Sequence, residues 1–336
     1  INPYNPATYT AFKPNSFLFS TGGLHKTVKM QTNDKEQITN NSVLSHLLFG
    51  FPVSKKTGVS IGMIPYSSTG YMLNYRDEQN NADMIYSGDG GLSKMYFGGA
   101  YKITNSLSLG MNASYLFGGL NRQKKAEFDD VSIFNSRSVS RINLKGYYYS
   151  VGMIYTKELK EDMRVTIGIS ANNKANISAN RTILTESFEY SSIFEVVKDT
   201  AVNSTESGVV IMPQQLAVGG SLDIGKRWLL SVNYSTQNWS DYRLFEVTDS
   251  LQNSMNFSAG VQYTPDYNAV TKLHKRMHYR LGMTYGKTPL HIFGTQLKER
   301  SISIGMGIPL KKTRTMYDVS ITMGERGTTD NNLIKE

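Results

Sequence analysis

The sequence predicts an all-β protein, a transmembrane antiparallel β-barrel of fourteen strands, thirteen of which are visible in the chain. Three observations predict it. Apolar and polar residues alternate with period two through much of the 336 residues, as they do when successive side chains point to opposite faces of a sheet. The alternating runs reach about ten residues or more, enough to cross a bilayer at a tilt and longer than the ~5–6 common in globular sheets. The apolar face of many runs ends in Tyr or Trp (Tyr101, Tyr115, Tyr155, Tyr234, Trp239, Tyr263, Tyr285), as an interfacial aromatic girdle requires.

Taken in order, residues 1–16 show no alternation and form a segment of their own, ahead of a barrel over 17–336. Strands follow at 17–31, 42–53, 58–75, 91–104, 106–118, 141–156, 163–185, 209–225, 227–239, 253–264, 276–286, 300–310 and 314–324. The strand at 106–118 is the clearest: Leu107, Leu109, Met111, Ala113, Tyr115 and Phe117 oppose Ser106, Ser108, Gly110, Asn112 and Ser114. At 163–172, Val165, Ile167 and Ile169 oppose Arg164, Thr166 and Gly168; at 277–286, Tyr279, Leu281 and Met283 oppose His278, Arg280 and Gly282. Connections alternate as well. Tight ones fall near 54–57, 104–106, 157–162, 225–227 and 311–314, with a longer one at 265–275; long polar ones fall near 32–41, 76–90, 119–140, 186–208, 240–252 and 287–299. Short periplasmic turns and long outer loops are the outer-membrane pattern, and such single-chain barrels close with an even strand number. Thirteen strands therefore predict a closing strand absent from this sequence, with Asp330–Glu336 left outside the wall. Dividing 163–185 at Asn172-Asn173 would give fourteen but would break the alternation of short and long connections.

Composition agrees. Hydrophobic residues are 39% of the chain and mean hydropathy is −0.35, yet there are 21 Tyr, 14 Phe and 15 Met, too many core formers for a disordered chain. No stretch approaches the ~18 apolar residues of a membrane helix, and a barrel hides its apolar residues at alternate positions. Cys is absent, which removes disulfides, thiol nucleophiles and Cys-ligated metals. The net charge is +9, but the basic residues sit on separate short turns: Lys55, Lys56, Lys157, Lys160, Lys226, Arg227, Lys272, Lys275, Arg276, Lys311, Lys312 and Arg314. The acids concentrate in the long connections. A basic rim of this kind suits anionic membrane lipid headgroups or an acidic periplasmic partner, and not nucleic acid.

Short motifs add a resemblance. Asn5-Pro6-Ala7 stands near the N-terminus, Gly110-Met111-Asn112-Ala113-Ser114-Tyr115 reads G-x-N-x-x-Y, and Pro213-Gln214-Gln215-Leu216 precedes Trp228, Tyr234 and Trp239. Pro65-Tyr66-Ser67-Ser68 and Gly324-Glu325-Arg326-Gly327-Thr328 extend the pattern. Together they resemble the FadL-like outer-membrane family of long-chain fatty acid and hydrophobic-compound channels, as a divergent branch. The resemblance implies a fourteen-stranded barrel plugged by an N-terminal hatch, with a hydrophobic ligand route through the lumen and out sideways. The hatch here is short, about fifteen residues, and the long connections contain no long apolar helix.

The residues supply no catalytic, metal or cofactor site. The five His are dispersed, no H-E-x-x-H or G-x-S-x-G occurs, and Gly88-Asp89-Gly90-Gly91 lacks the Lys-Ser/Thr of a phosphate loop. The candidate sites are non-catalytic. Asn5, Pro6 and Ala7 form the hatch by resemblance. Pro65, Tyr66, Ser67, Ser68 and Gly70 are a candidate lateral opening, because a mid-strand proline removes a ladder donor. Asn112, Arg164, Asn233 and Arg280 face the lumen, where the two arginines could anchor a carboxylate by charge-assisted hydrogen bonds. Two functions follow as expectations: passive uptake of hydrophobic small molecules across a Gram-negative outer membrane, or a non-transporting scaffold subunit of a larger outer-membrane complex serving protein secretion or outer-membrane protein assembly.

Overall fold

The computed structural model describes residues 1–32, 36–269, 272–292, 294–310, 315–329 and 334–336. One antiparallel sheet of seventeen strand segments forms the wall. In chain order they are β1 (Leu18–Gln31), β2 (Glu36–Pro52), β3 (Thr57–Asp77), β4 (Ala82–Lys102), β5 (Leu107–Phe128), β6 (Asn135–Lys160), β7 (Met163–Asn172), β8 (Ala175–Ser191) and β9 (Phe194–Met212). Then come β10 (Gln215–Ile224), β11 (Trp228–Gln237), the two-residue β12 (Arg243–Leu244) and β13 (Val247–Thr248), β14 (Ser254–Tyr263), β15 (His278–Ile292), β16 (Thr295–Pro309) and β17 (Met316–Arg326). A 3-10 turn, Pro6–Ala11, precedes β1; a second, Trp239–Asp241, follows β11.

Several segments share one wall position. β6 pairs with β8 over Asn135–Lys145 and with β7 from Ser150 onward, so β7 and β8 lie end to end along it. Asn173 carries the ladder across the break: its backbone N–H donates to the Tyr149 carbonyl at 3.2 Å, and its side-chain oxygen accepts from the Tyr149 N–H at 2.9 Å. β9 and β10 lie along β8 and β7 in the same way, interrupted at Pro213, which has no N–H to give. With β12 continuing β11 and β13 preceding β14, the segments occupy the thirteen wall positions that the alternation predicts.

The predicted outward faces hold. Leu109, Met111, Phe97, Val232, Leu281 and Ile304 are exposed on the outside, while Asn112, Ser114 and Lys94 are buried on the inside. The connections differ from expectation. What reads as a long polar loop at 76–90, 119–140 or 186–208 is mostly strand: β3 and β4 pair to Asp77↔Ala82, β5 and β6 to Ala126↔Ser136, and β8 and β9 to Ser191↔Phe194. An antiparallel ladder needs only backbone partners, so it continues past the bilayer on Ser, Thr and Asn, where the alternation of apolar residues stops. Trp239 also departs from expectation: it sits in the 3-10 turn after β11, not on the girdle. Lys311, Lys312 and Arg314 of the basic rim, and Asp330, lie outside the described residues.

Where the wall would close, β1 pairs with β2 and β17 with β16. Lys335 and Glu336 lie between these two edges at the end away from the short turns. Lys335 exchanges backbone hydrogen bonds with Gln31 at 2.8 and 2.9 Å, and Glu336 does so with Arg326 at 2.8 and 2.9 Å. Lys335 and Glu336, expected to be left outside the wall, therefore make one rung at the fourteenth position, because their backbones complete the hydrogen bonding of Gln31 and Arg326.

Candidate functional site

The N-terminal segment is held inside the wall by close backbone approach. A Cβ on Gly58 would lie 2.0 Å from the Tyr9 carbonyl oxygen, and one on Gly110 would lie 2.5 Å from the backbone of Pro6 and Ala7. Only glycine at these inward positions of β3 and β5 lets the segment lie against the sheet. Asn5 caps the 3-10 turn, accepting from the Ala7 N–H at 3.2 Å, and its amide nitrogen donates to the carbonyls of Met153 and Ile169, both at 3.3 Å. Pro6 takes the first-turn position, where no N–H is needed. Ala7 and Tyr9 are fully buried.

A polar chain fixes the segment further. The Tyr9 hydroxyl donates to Asn112 Oδ1 at 3.0 Å, and Asn112 Nδ2 donates to the Pro3 carbonyl at 2.9 Å. Burial raises the pKa of the Tyr9 hydroxyl far above the ordinary tyrosine value, so it remains a donor. Next to it the Tyr96 and Ser60 hydroxyls share a bond of 2.9 Å, and Thr10 donates to Ser108 at 2.9 Å. Tyr9, Leu48, Ile64, Tyr96 and Ala100 form one apolar cluster around this chain, with Ile1 and Phe12 packed on it.

A second, larger cluster lies farther from the short turns. Leu92, Leu116, Ile142, Leu144, Tyr148, Ile177, Val210 and Met212 belong to it, and Tyr242, Leu244 and Phe245 of the β11–β14 connection fold inward onto it. Between the clusters is a cavity of about 250 Å³, bordered by Tyr4, Pro65, Tyr66, Lys94, Tyr148, Gln237 and Trp239. Lys94 is only 6% exposed, and its ammonium lies 5.7 Å from the centre of the Tyr4 ring and 5.3 Å from that of Tyr148. Among the described residues no carboxylate pairs with it.

The candidate opening lies at the same level. The β3–β4 register slips between Pro65 and Ser67, so Tyr66 is the extra residue of a bulge, and its ring meets Tyr148 edge-on at 6.3 Å. Pairing of β2 with β3 runs only over Leu47↔Met63 to Pro52↔Gly58, so the ladder between them ends just before the proline. Ser68 and Gly70 are exposed above it.

The lumen-facing candidates do not gather at one point. Asn112 belongs to the contact with the N-terminal segment. Arg164 donates to Asp223 at 2.8 Å, and Arg280 donates to Asp318 at 2.5 Å and to Gln262 at 2.8 Å; the first acid is on the adjacent β10 and the second two strands away on β17, so each guanidinium already has an acid partner. Asn233 faces a separate polar space with Gln215, Thr166 and Ser221. Among the described residues no three His, Asp or Glu side chains converge as a metal site. Sequence reasoning missed Tyr9, Lys94 and the inward glycines; glycine at facing positions of successive strands is the signal that could have found the last.

A family model described as BamG matches residues 1–336, the whole length of the chain. The chain belongs to the BamG family. No curated protein matches it. Solved structures similar to this BamG chain include the toluene transporter TodX of Pseudomonas putida, at 14% identity over 96% of this chain and 85% of that one, with a TM-score of 0.63. A Pseudomonas aeruginosa FadL homologue is similar at 10% identity over 96% and 84%, TM-score 0.63, and the monoaromatic hydrocarbon channel CymD at 15% over 98% and 87%, TM-score 0.59. At these identities the FadL-type likeness of the BamG chain is one of fold: an outer-membrane-type β-barrel.

Proposed function

We propose that this barrel is a non-transporting scaffold subunit of a larger complex in a Gram-negative outer membrane. One observation carries the reading. The apolar side chains inside the wall are engaged in two compact clusters, closed by the hatch and by Tyr242–Phe245, and the remaining lumen is polar. The spaces along β10 to β17 are bordered by Gln215, Ser235, Asn256, Gln262, Arg280 and Asp318, which would desolvate a hydrophobic solute poorly. Membrane lipid surrounds the barrel, and its basic short turns suit anionic headgroups or a periplasmic protein.

A second reading, passive uptake of hydrophobic small molecules, is favoured by the Pro65 bulge, which borders a cavity where the β2–β3 ladder ends, and by the channel fold of the similar structures. The test is purification of a tagged full-length protein from its own membrane in mild detergent, with a parallel assay of toluene and oleate entry into cells with and without it. Stoichiometric protein partners and unchanged entry support the scaffold. A solitary barrel with entry that depends on it would establish the channel instead.

A further inference from the structure

The wall over β3 to β6, β8 and β9 rises well past the bilayer. The outer girdle on β6 is Tyr147, whose ring packs on Tyr115 at 5.5 Å. β6 continues from there to Asn135, which at ~3.3 Å per residue and a tilt of ~40° lifts its end about 30 Å above the girdle. At this height apolar side chains meet water, not lipid. The summit nevertheless displays them. The β5–β6 and β8–β9 connections carry the same tripeptide, Ser132-Ile133-Phe134 and Ser192-Ile193-Phe194. Val131 is 100% exposed, Ile193 80%, Phe194 69%, Phe134 51% and Ile133 48%.

The two tips are tied into one body. Lys125 of β5 bonds Glu195 of β9 at 2.6 Å, Arg137 of β6 bonds Glu195 and Glu186 at 2.6 and 2.7 Å, and the Tyr190 hydroxyl reaches Glu127 at 2.5 Å. Phe188 is fully buried beneath the Lys125 ammonium, 5.0 Å from its ring centre. A rigid platform presenting exposed Ile and Phe is the form of a protein-binding surface rather than of a solvated loop. Its charge defines the partner. The stretches 76–83, 124–137 and 186–199 hold ten acids and five bases, a net of −5 in a chain whose total is +9.

We infer that the summit formed by the two Ser-Ile-Phe tips docks a second protein outside the membrane, one offering an apolar recess rimmed by Lys and Arg. This rests on the scaffold reading and locates one of its contacts. The experiment places a photo-crosslinking phenylalanine analogue at Phe134 or Phe194 of the full-length protein in living cells, with Val202 lower on β9 as control. The expected result is one common protein adduct from both tips and none from Val202, the crosslinked peptide lying on a surface with more Lys and Arg than Asp and Glu. Ile133→Asp with Ile193→Asp should cut its yield about tenfold or more, and Glu78→Lys with Glu189→Lys should also lower it, while heat-modifiable gel mobility shows that both variants remain folded barrels. No adduct, a lipid adduct, a second copy of this chain, or a yield that the substitutions leave unchanged would overturn the inference. If mild detergent still recovers stoichiometric partners when the tips crosslink nothing, the summit site fails and the scaffold stands; a solitary barrel fails both.

Discussion

The first and last parts of the wall obey the same alternation but are built to different heights. β3 to β6 run 21, 21, 22 and 26 residues, whereas β14 has 10 and β17 has 11, about what a crossing takes, and β15 and β16 between them have 15 each. The tall part holds the N-terminal segment, both apolar clusters and the ion-paired summit. Among the described residues, every buried hydrophobic side chain except Leu297 lies within the first 213 positions. The short part has Ser, Thr, Asn and Gly on its inner face and little packed on them. One half of the barrel has an interior like that of a water-soluble domain; the other is a bilayer-facing wall with a polar inner face.

If that contrast is right, substitutions on the two sides should differ in size and even in sign. Tyr9→Ala should cost about 3–5 kcal/mol by emptying a fully buried aromatic site, read as a lowered unfolding midpoint in urea with lipid vesicles. An equally large loss for Ser303→Ala, on the inner face of β16, would erase the contrast. Lys94→Met should stabilise by about 1–4 kcal/mol, since it replaces a buried ammonium that has no acid partner among the described residues with an apolar chain of similar length. Destabilisation would mean that the Tyr4 and Tyr148 rings or a bound anion compensate the ammonium. Gly110→Val should cost about 1–3 kcal/mol and expose the N-terminal segment to protease, because its Cβ would overlap Pro6 and Ala7.

The summit responds to pH. A hydrogen bond from Lys125 holds the Glu195 carboxyl below the usual glutamate range. With its folded pKa below the unfolded one, Glu195 contributes stability above the unfolded value of ~4.3, and loses it as pH falls through the folded pKa. Amide exchange in β9 at pH 7 and pH 3 should therefore show the Glu195 end opening first at low pH, with β14 unchanged. The smallest effect belongs to the short side: Arg164→Gln removes a well-exposed pair with Asp223 and should change stability by less than ~1 kcal/mol.

The lipid-facing half of each strand was legible in the sequence because lipid forces alternation: Leu109, Met111 and Tyr115 can only point outward if Ser108, Asn112 and Ser114 point inward. The thirteen wall positions and their order followed from that constraint. The upper halves of β5, β6, β8 and β9 were not legible, since outside the bilayer nothing demands an apolar face and Ser136, Ser138 and Ser140 read as loop. The site was legible in part. Asn5, Pro6 and Ala7 stood out as a motif and Pro65 as a break, but Lys94 lies on a strand at a position whose burial depends on Tyr4 and Tyr148, distant in the chain. The acid partners of Arg164 and Arg280 likewise depend on strand register, which alternation alone leaves open.

The rung that joins Gln31 to Lys335 has a consequence for assembly. The rest of the wall zips between strands adjacent in the chain or nearly so, hairpin by hairpin, at small loop-closure cost. This seam instead joins Gln31 to Lys335, 304 positions apart in the sequence. Apart from that rung, among the described residues β1 and β17 have one strand partner each, and their outer edges hold rows of amides and carbonyls toward a medium that offers them no water. Within a bilayer such edges are costly, so folding there has to supply them with a backbone partner.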